Sequence, residues 1–310
     1  MRVTVNTMYQ SISQSTTKHF SALSNQMDRT QYRVLTAGDD PVAQKQIVNL
    51  KNNISELGIY TSQAHSIEAK LGTLDVQFGA YYDKMLAFDE LLAEIGGGTH
   101  SEEDLKVFGN AARGLEQDIS TILNFKNSDG TYMFGGTMVG DPPFQKELVT
   151  VDIDGEEVEL EMYVYKGDHD VQYQKSGSTS DIPVTIDGSK LITDDNGKTI
   201  FEHIAVANHY LEQGEEVPGD LRIDMMDSIS IITDNYIAAR SELGGNINQA
   251  TSNYRMFESM SMEYSLMLSN AQDANIVEVT TNIQKHSQIL QVINNTTKVL
   301  VDMQNQSFLG

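Results

Sequence analysis

The chain has 310 residues and a formal net charge of −23, and it contains neither Cys nor Trp. The lack of Cys excludes disulfides and thiolate chemistry, so packing alone must stabilise the fold. The negative charge disfavours nucleic acids and anionic membrane surfaces as partners. Residues 141–220 hold five Lys against 19 Asp and Glu, a net charge of −14. This uneven distribution predicts a solvated middle and interacting ends.

The sequence contains no apolar run that approaches the roughly 20 residues of a membrane span. The N-terminus also lacks a continuous apolar region followed by a small-residue cleavage site. We therefore expect no transmembrane helix and no cleaved secretory signal peptide. A protein of this kind would need another route to leave the cytoplasm.

A first helix is predicted over residues 5–35, in a background rich in Ser, Thr and Gln. Its apolar residues have helical spacing: Met8, Ile12, Phe20, Leu23, Met27 and Val34. Gly38 can adopt the positive φ that commonly ends a helix. Asp39 and Asp40 follow, and Asp40 is a favourable N-cap for a helix with Pro41 at its first position. Residues 39–41 therefore predict the junction between the first two helices.

The second helix is predicted to continue from Pro41 for some 55 residues, a length of about 80 Å. Apolar residues recur every seven positions in two series: Leu50, Leu57, Ala64, Leu71, Phe78, Met85 and Leu92 in one, and Ile67, Leu74, Tyr81, Phe88 and Ile95 in the other. Such a seam indicates coiled-coil or bundle packing. Three glycines, at 96–98, end this helix, and Ser101 is predicted to cap a third helix that folds back on it.

The residue pattern changes near Asp129 and predicts a small β-rich insert over residues 131–200. Apolar residues alternate before and after Asp154-Gly155, in the pattern of a β-hairpin with a two-residue type I′ turn. The alternating residues are Val149, Val151 and Ile153 on one side and Val158, Leu160, Met162 and Val164 on the other. Further strands are predicted at 171–175 and 182–187.

Helical spacing resumes at Phe201, and a second long helix is predicted from Leu221 to Ala271. The last helix has one apolar stripe and few charges: Ile276, Val279, Ile283, Leu290, Ile293 and Leu300. A second apolar stripe lies beside it: Ile289, Val292, Val299 and Met303. A helix with such wide apolar coverage requires a partner. Either the terminal helices close one molecule as an internal coiled coil, or they are surfaces kept for assembly.

The order of elements predicts a mainly α protein with a β insert. We expect an elongated helical bundle or coiled coil, formed by the N- and C-terminal halves, with a small β-rich domain at its far end. The predicted domains are a terminal coiled coil (1–40 and 273–310), a long-helix bundle (41–130 and 201–272) and the β-rich insert (131–200).

No catalytic constellation, cofactor motif or metal-ligand spacing is present in the sequence. A polar turn explains Asp168-His169-Asp170 better than a metal site does. The hairpin turn explains the partial calcium-loop pattern of Asp152, Asp154 and Gly155. We therefore predict that the protein is not an enzyme and has neither a cofactor nor a metal site.

Four groups of residues resemble the bacterial flagellin family. They are residues 1–3 with 8–9, residues 33–34 with 39–43, residues 129–136 with 143–144, and residues 240–248 with 271–274 and 288–291. Each motif is modest alone, but their order along the chain is specific. The match covers both ends and the start of the β region, with looser agreement over 145–220.

This resemblance implies a structural protein of the bacterial flagellum that lies outside the cell after export through the flagellar type III channel. The terminal helices of such proteins are disordered before assembly and then coil together with those of adjacent copies. The implied partners are adjacent copies, the hook-side junction protein, the flagellin filament and an export chaperone on the C-terminal helix. We accordingly predict an assembly interface at Met8, Ile12, Leu23, Met27, Ile276, Val279, Ile283, Leu290, Ile293 and Leu300.

Two kinds of family member remain to be distinguished. Pro41 follows the paired Asp39 and Asp40, at the position where filament flagellins resemble Asp-Asp-Ala. This Pro and the opening Met1-Arg2 favour a protein of the hook–filament junction. The C-terminal residues 304–310 and Gln31-Tyr32 depart from both patterns. A coiled-coil sensor or adhesin is a remoter alternative, and it would require a membrane span or anchor.

Overall fold

The computed structural model describes residues 2–30, 32, 38, 40–153, 155–273 and 276–309, except for the side chains of 2–6, 276 and 302–309. These residues form seven helices and four strands in the order α1 (Arg2–Asp28), α2 (Pro41–Ile95), α3 (Glu102–Leu123), β1 (Phe144–Ile153), β2 (Glu156–Tyr165), β3 (Tyr173–Lys175), β4 (Asp181–Pro183), α4 (Ser189–Ile192), α5 (Ile200–Gln213), α6 (Gly219–Gln272) and α7 (Ile276–Leu309). The predicted class, mainly α with a β insert, is confirmed.

The chain divides into two compact units. The terminal unit comprises residues 1–58 and 258–310, and the central unit comprises residues 59–257. The long helices α2 and α6 each contribute residues to both units. The three-part division expected from the sequence stays a prediction.

The heptad series of α2 forms one side of the core. All twelve residues of the two predicted series are buried, and α2 ends at Ile95, immediately before the three glycines. In the central unit, α6 contributes its own buried series: Met225, Ile229, Ile232, Tyr236 and Leu243. Phe78 of α2 packs between Phe134 and Tyr236, with ring centroids 6.0 and 5.7 Å away. Period-seven patterning therefore predicted the core helix and its buried face.

The third helix is capped as its sequence indicates. Ser101 and Asp104 form a capping box, in which each side chain accepts a hydrogen bond from the other residue's backbone N–H. An ion pair of 2.8 Å between Lys84 and Asp118 joins α3 to α2. A closer neighbour, α5, approaches at Gly109, where an added Cβ would lie 3.2 Å from Leu211. Glycine permits this close helix–helix contact, which the sequence analysis did not foresee.

The β1–β2 hairpin is present with the expected two-residue connection. Ile153 pairs with Glu156, and Gly155 has a φ of 87°. The Asp152 carboxylate accepts a hydrogen bond of 2.8 Å from the Gly155 N–H, which supports the turn. The type I′ assignment depends on Asp154, which lies outside the described residues.

The second sheet is shorter than predicted. The strands β3 and β4 pair over three residues each, and the Val184 N–H still donates to Gln172 O at 2.8 Å, but from Ile186 onward the backbone binds elsewhere. The Ile186 N–H donates to Met133 O at 2.9 Å, and the Gly188 N–H donates to Phe134 O at 3.0 Å. These bonds to residues 133–134 replace the strand ladder that alternation alone suggested.

The first helix also ends earlier than predicted, at Asp28 instead of residue 35. Both the N–H and the hydroxyl of Thr30 donate to Met27 O, at 3.3 and 3.0 Å. The Met27 carbonyl therefore accepts the hydrogen bonds of a tight turn. Thr side chains favour such local hydrogen bonds over continuation of the helix. Val34 lies outside the described residues, and so do the rest of residues 33–37 and Asp39.

Candidate assembly site

The junction before α2 has the predicted cap geometry at Asp40. Its Oδ1 accepts hydrogen bonds from the N–H groups of Val42 at 3.1 Å and Ala43 at 3.0 Å. These are donors that a helix N-terminus otherwise leaves unpaired, and Pro41 has no N–H to satisfy. Asp39 lies outside the described residues, so only Asp40 and Pro41 of the predicted cap can be placed.

The two terminal helices, α1 and α7, pack against each other within the terminal unit. Val279 is buried, and six other residues of the predicted interface are half-buried: Ile12, Leu23, Ile283, Leu290, Ile293 and Leu300. The side chain of Ile276 is outside the described set. Partial burial is what the pairing of two helices along one stripe produces.

One polar contact lies inside this pair of helices. His19 of α1 and His286 of α7 have their Nδ1 atoms 3.1 Å apart, with ring centroids separated by 5.3 Å. One ring must donate and the other accept, because two protonated nitrogens cannot share this contact. The contact therefore joins the helices only while at least one imidazole is neutral.

The outer sides of α1 and α7 expose a second set of apolar residues. Phe20 is 66% exposed, Val292 is 63% exposed and Val277 is 73% exposed. The same surface, here called the outer stripe, also includes Met8, Met27 and Val299. Met8 and Met27 are thus more exposed than Ile12 and Leu23, although each lies one helical turn from one of those two residues. Burying a Val or Phe side chain stabilises by roughly 1.5–3 kcal/mol, so the outer stripe favours a further partner.

The ends of α2 and α6 in the terminal unit also expose apolar residues. Ala43 and Ile47 are buried against Leu268 and Ala271. Outside that small core lie several large exposed residues: Val42, Val48, Met262, Leu266 and Met267. The sequence analysis did not assign these to the interface. Their positions on long heptad helices gave no sign of which face would be left uncovered.

Two of the family-like motifs hold the central unit together. Asp129 pairs with Lys70 at 2.5 Å, and hydrogen bonds from Lys70 and Thr131 lower its pKa to about 2. In the C-terminal motif, Arg240 Nε donates to Asp75 at 3.0 Å. These residues fix α2 against neighbouring segments, which is a structural role and not a chemical one.

Gly136, in the first of these motifs, permits a close backbone approach. Its φ is +65°, and its N–H donates to Ile186 O at 3.1 Å. A Cβ at this position would collide with the carbonyl oxygens of Asp168 and Asp170. The glycine is therefore required for the chain to pack where the β region begins.

The cluster around His169 lacks the geometry of a catalytic triad. Asp187 Oδ2 and Ser189 Oγ both contact the same ring nitrogen, Nδ1, at 3.1 and 3.3 Å. A triad needs the carboxylate and the hydroxyl on opposite nitrogens. The Ser189 hydroxyl instead donates to Asp187 Oδ1 at 2.6 Å. Within the described ranges, no group of three or more His, Asp or Glu residues is arranged to hold a metal ion.

A buried polar network was missed by the sequence analysis. Asp194 Oδ2 accepts from Ser228 Oγ at 2.7 Å and lies 3.8 Å from His203 Nε2. Burial raises the pKa of Asp194, but hydrogen bonds from Ser228 and the backbone N–H groups of Lys198 and Asn196 outweigh it and lower that pKa overall. Desolvation lowers the pKa of His203 to about 4. The network is structural, since it ties α5 to α6.

A search for membrane-spanning segments over the described part of the chain finds no helix with the required combination of length and apolar character. The polar faces of the terminal helices carry Asn, Gln, Ser and Thr.

The fold is similar to that of several solved structures of flagellar proteins. A protein described as flagellar hook-associated from Vibrio parahaemolyticus has a TM-score of 0.65 at 15% identity, covering 76% of this chain and 100% of its own. Hook-associated protein 3 from Legionella pneumophila gives 0.60 at 13%, covering 72% and 98%. The flagellar junction protein FlgL from the same species gives 0.54 at 13%, covering 75% and 100%.

No model of a known protein family matches the sequence, and no curated protein matches it either. At the identities of the solved structures, the likeness establishes the fold alone. The fold is that of flagellar hook-associated proteins, and structures of hook-associated protein 3 are among its neighbours. The resemblance inferred from the sequence is therefore confirmed at the level of the fold.

Proposed function

We propose that the protein is a structural, non-enzymatic component of the bacterial flagellum that forms the junction between hook and filament. The observation that carries this proposal is the α1–α7 pair, which is half-buried on its inner side and apolar on its outer stripe. The likeness in fold to hook-associated protein 3 supports the same function.

The geometry of the terminal unit supports a particular mode of assembly. In the proposal, the inner stripe joins α1 to α7 within one copy, and the outer stripe contacts adjacent copies. Unlike surfaces meet at such a contact, so repeated addition builds an open helical array and not a closed dimer. The hook-side junction protein and the flagellin filament contact the two ends of this array, and neither nucleic acid nor membrane takes part.

The proposed location is extracellular, on the flagellum, after export through the flagellar type III channel. An export chaperone would cover the C-terminal helix α7 before assembly, because its outer stripe would otherwise favour premature association. This assignment accounts for both the apolar surface and the few charges on the helix.

Filament flagellin is the second candidate, and seeded growth distinguishes the two. Purified protein is added to hook fragments and to filament fragments, and the length of the products is followed by electron microscopy. A short cap that stops growing supports a junction protein. Continued elongation identifies a filament flagellin. A folded sample that attaches to neither seed supports the remoter sensor or adhesin alternative.

A further inference from the structure

A polar groove of about 590 Å³ lies in the central unit, between α3, α5 and the β1–β2 hairpin. Four Glu residues line it: Glu116, Glu159, Glu161 and Glu212. Arg113 and Lys146 supply two positive charges against the four carboxylates, so the groove has a formal net charge of −2 with His209 counted as neutral. An anionic ligand is disfavoured here by this charge.

The two cations are already engaged. Arg113 pairs with Glu212, and Lys146 Nζ is shared between Glu116 Oε2 at 3.6 Å and Glu161 Oε2 at 3.8 Å. No ion pair among the described residues involves Glu159. The groove therefore has a surplus of negative charge beside its own ion pairs.

Two deeply buried oxygens at the groove lack a donor. Glu116 is 5% exposed and Asn208 is 8% exposed. Neither Glu116 Oε1 nor Asn208 Oδ1 accepts a hydrogen bond from any described residue. Buried acceptors in native proteins are nearly always paired with protein groups or ordered water, so each of these two oxygens can accept a hydrogen bond from outside the chain.

We propose that this groove binds a protonated primary amine on an alkyl chain, whose ammonium donates hydrogen bonds to Glu116 Oε1 and Asn208 Oδ1. An ammonium group has three donors, no acceptor and one positive charge, which matches the unpaired oxygens and the surplus charge. A metal ion would need more ligands than these residues provide. A free diamine or polyamine and the Lys side chain of another protein present the same group. The proposal is independent of the assembly function.

Calorimetric titration of the full-length protein at pH 7 tests the proposal. The probes are 1-butylamine and 1,4-diaminobutane, with 1-butanol as the uncharged control. We expect saturable binding of the amines, and at least tenfold weaker binding to Glu116→Gln. The variant Glu156→Gln, which removes an exposed carboxylate at the hairpin turn, should bind like the wild type. Thermal unfolding checks that both variants are folded.

Several outcomes would contradict the proposal that this groove binds an amine. One is binding of 1-butanol equal to that of 1-butylamine, and another is unchanged binding by Glu116→Gln. A signal that never saturates and is lost equally in both variants would indicate only general attraction to an acidic protein. Binding to Asn208→Ala as tight as to the wild type would exclude the amide oxygen as an acceptor.

The pH dependence of binding gives a second readout. Burial raises the pKa of the Glu116 carboxyl, and a bound cation favours its ionised form. Binding should therefore weaken as the pH falls and Glu116 takes up a proton, and Glu116→Gln should lack this dependence. Tighter binding of 1,4-diaminobutane than of Nα-acetyl-lysine methylamide would indicate a free polyamine. The reverse order would indicate the Lys side chain of a partner protein.

Discussion

The hydroxyl of Tyr81, in the middle of α2, donates a hydrogen bond of 2.7 Å to the carbonyl oxygen of Leu191 in α4. Both residues are fully buried. Burial raises the pKa of the Tyr81 phenol, so the group stays protonated and able to donate. One side chain thereby ties the segment after the small sheet to the long core helix.

Replacement of Tyr81 by Phe should lower the free energy of unfolding by about 1–3 kcal/mol, because the buried Leu191 carbonyl loses its donor. Urea denaturation at neutral pH measures this change. Tyr173→Phe removes a hydroxyl from a largely exposed ring and should stay within about 0.5 kcal/mol of the wild type. Equal effects of the two substitutions would contradict the role given to this bond.

Gly136 should tolerate substitution much less well than Gly130. Both have a positive φ, so Ala costs roughly 1–2 kcal/mol in backbone strain at each. At Gly136 the new Cβ also meets two backbone oxygens, whereas nothing lies within 4 Å at Gly130. Thermal unfolding should therefore show a clearly larger loss for Gly136→Ala. A loss no greater than that of Gly130→Ala would exclude the proposed close approach.

His203 should make the central unit sensitive to mild acid. Its pKa is about 4 in the folded chain and near 6.5 when unfolded, because burial disfavours the charged ring. The unfolded state therefore takes up a proton first as the pH falls. Stability is retained above about pH 6.5, declines between pH 6.5 and 4, and is lower by roughly 3 kcal/mol below that window.

The variant His203→Gln isolates this effect, because it removes the titrating group. Denaturant unfolding between pH 7 and 4 should show a much shallower decline for His203→Gln than for the wild type. His65→Gln, which alters an exposed imidazole, should keep the wild-type slope. A wild-type slope in His203→Gln would assign the acid sensitivity to other groups.

Aspartate substitutions on α7 should separate helix pairing from assembly. Leu290→Asp, like Ile293→Asp, places a charge on the half-buried inner stripe, so it should weaken the α1–α7 pair and block incorporation. Val292→Asp alters the outer stripe and should block incorporation while the pair persists. Gln291→Asp adds the same charge at an exposed polar position and serves as the control.

Seeded growth followed by electron microscopy measures incorporation of these variants, and cross-linking between α1 and α7 reports the helix pair. The core of the central unit should remain folded in all of them, since each substitution lies in the terminal unit. Normal incorporation of both Leu290→Asp and Val292→Asp would refute the assembly role of α7.

Limited proteolysis of the free protein should remove about the first 40 and the last 38 residues before the rest is cleaved. The reason is that α1 and α7 are held by one half-buried stripe, whereas the central unit has an extensive buried core. Mass spectrometry of the fragments locates the cuts. Complete resistance of the termini would show that the intramolecular α1–α7 pair is stable without assembly.

The helical parts of the fold could be predicted because their information is local and periodic. Apolar residues at every seventh position marked the buried face of α2, and Ser101 marked the start of α3. The hairpin could be predicted equally well, because the alternation of apolar residues and the Asp154-Gly155 pair fix its register. Each of these signals lies within a few residues of the structure it specifies.

The remaining features depend on contacts between distant segments. Residues 184–188 alternate as a strand would, yet Ile186 and Gly188 bind the backbone at 133–134. His203 and Asp194 gave no motif, because Ser228 completes their network from another helix. The sequence showed a second apolar stripe on α7, but only the packed helices show that Val292 and Val299 of that stripe are exposed while Ile289 is half-buried.

The β1–β2 hairpin is a sheet of only two strands, so within the described chain each strand has an outer edge without a neighbouring strand. Such edges invite the addition of strands from other molecules. Here Asp152 lies directly opposite Glu157, and Glu159 and Glu161 follow on the same strand. Edges that carry the same charge repel one another. The acidity of the insert therefore protects crowded copies of the protein against amyloid-like aggregation.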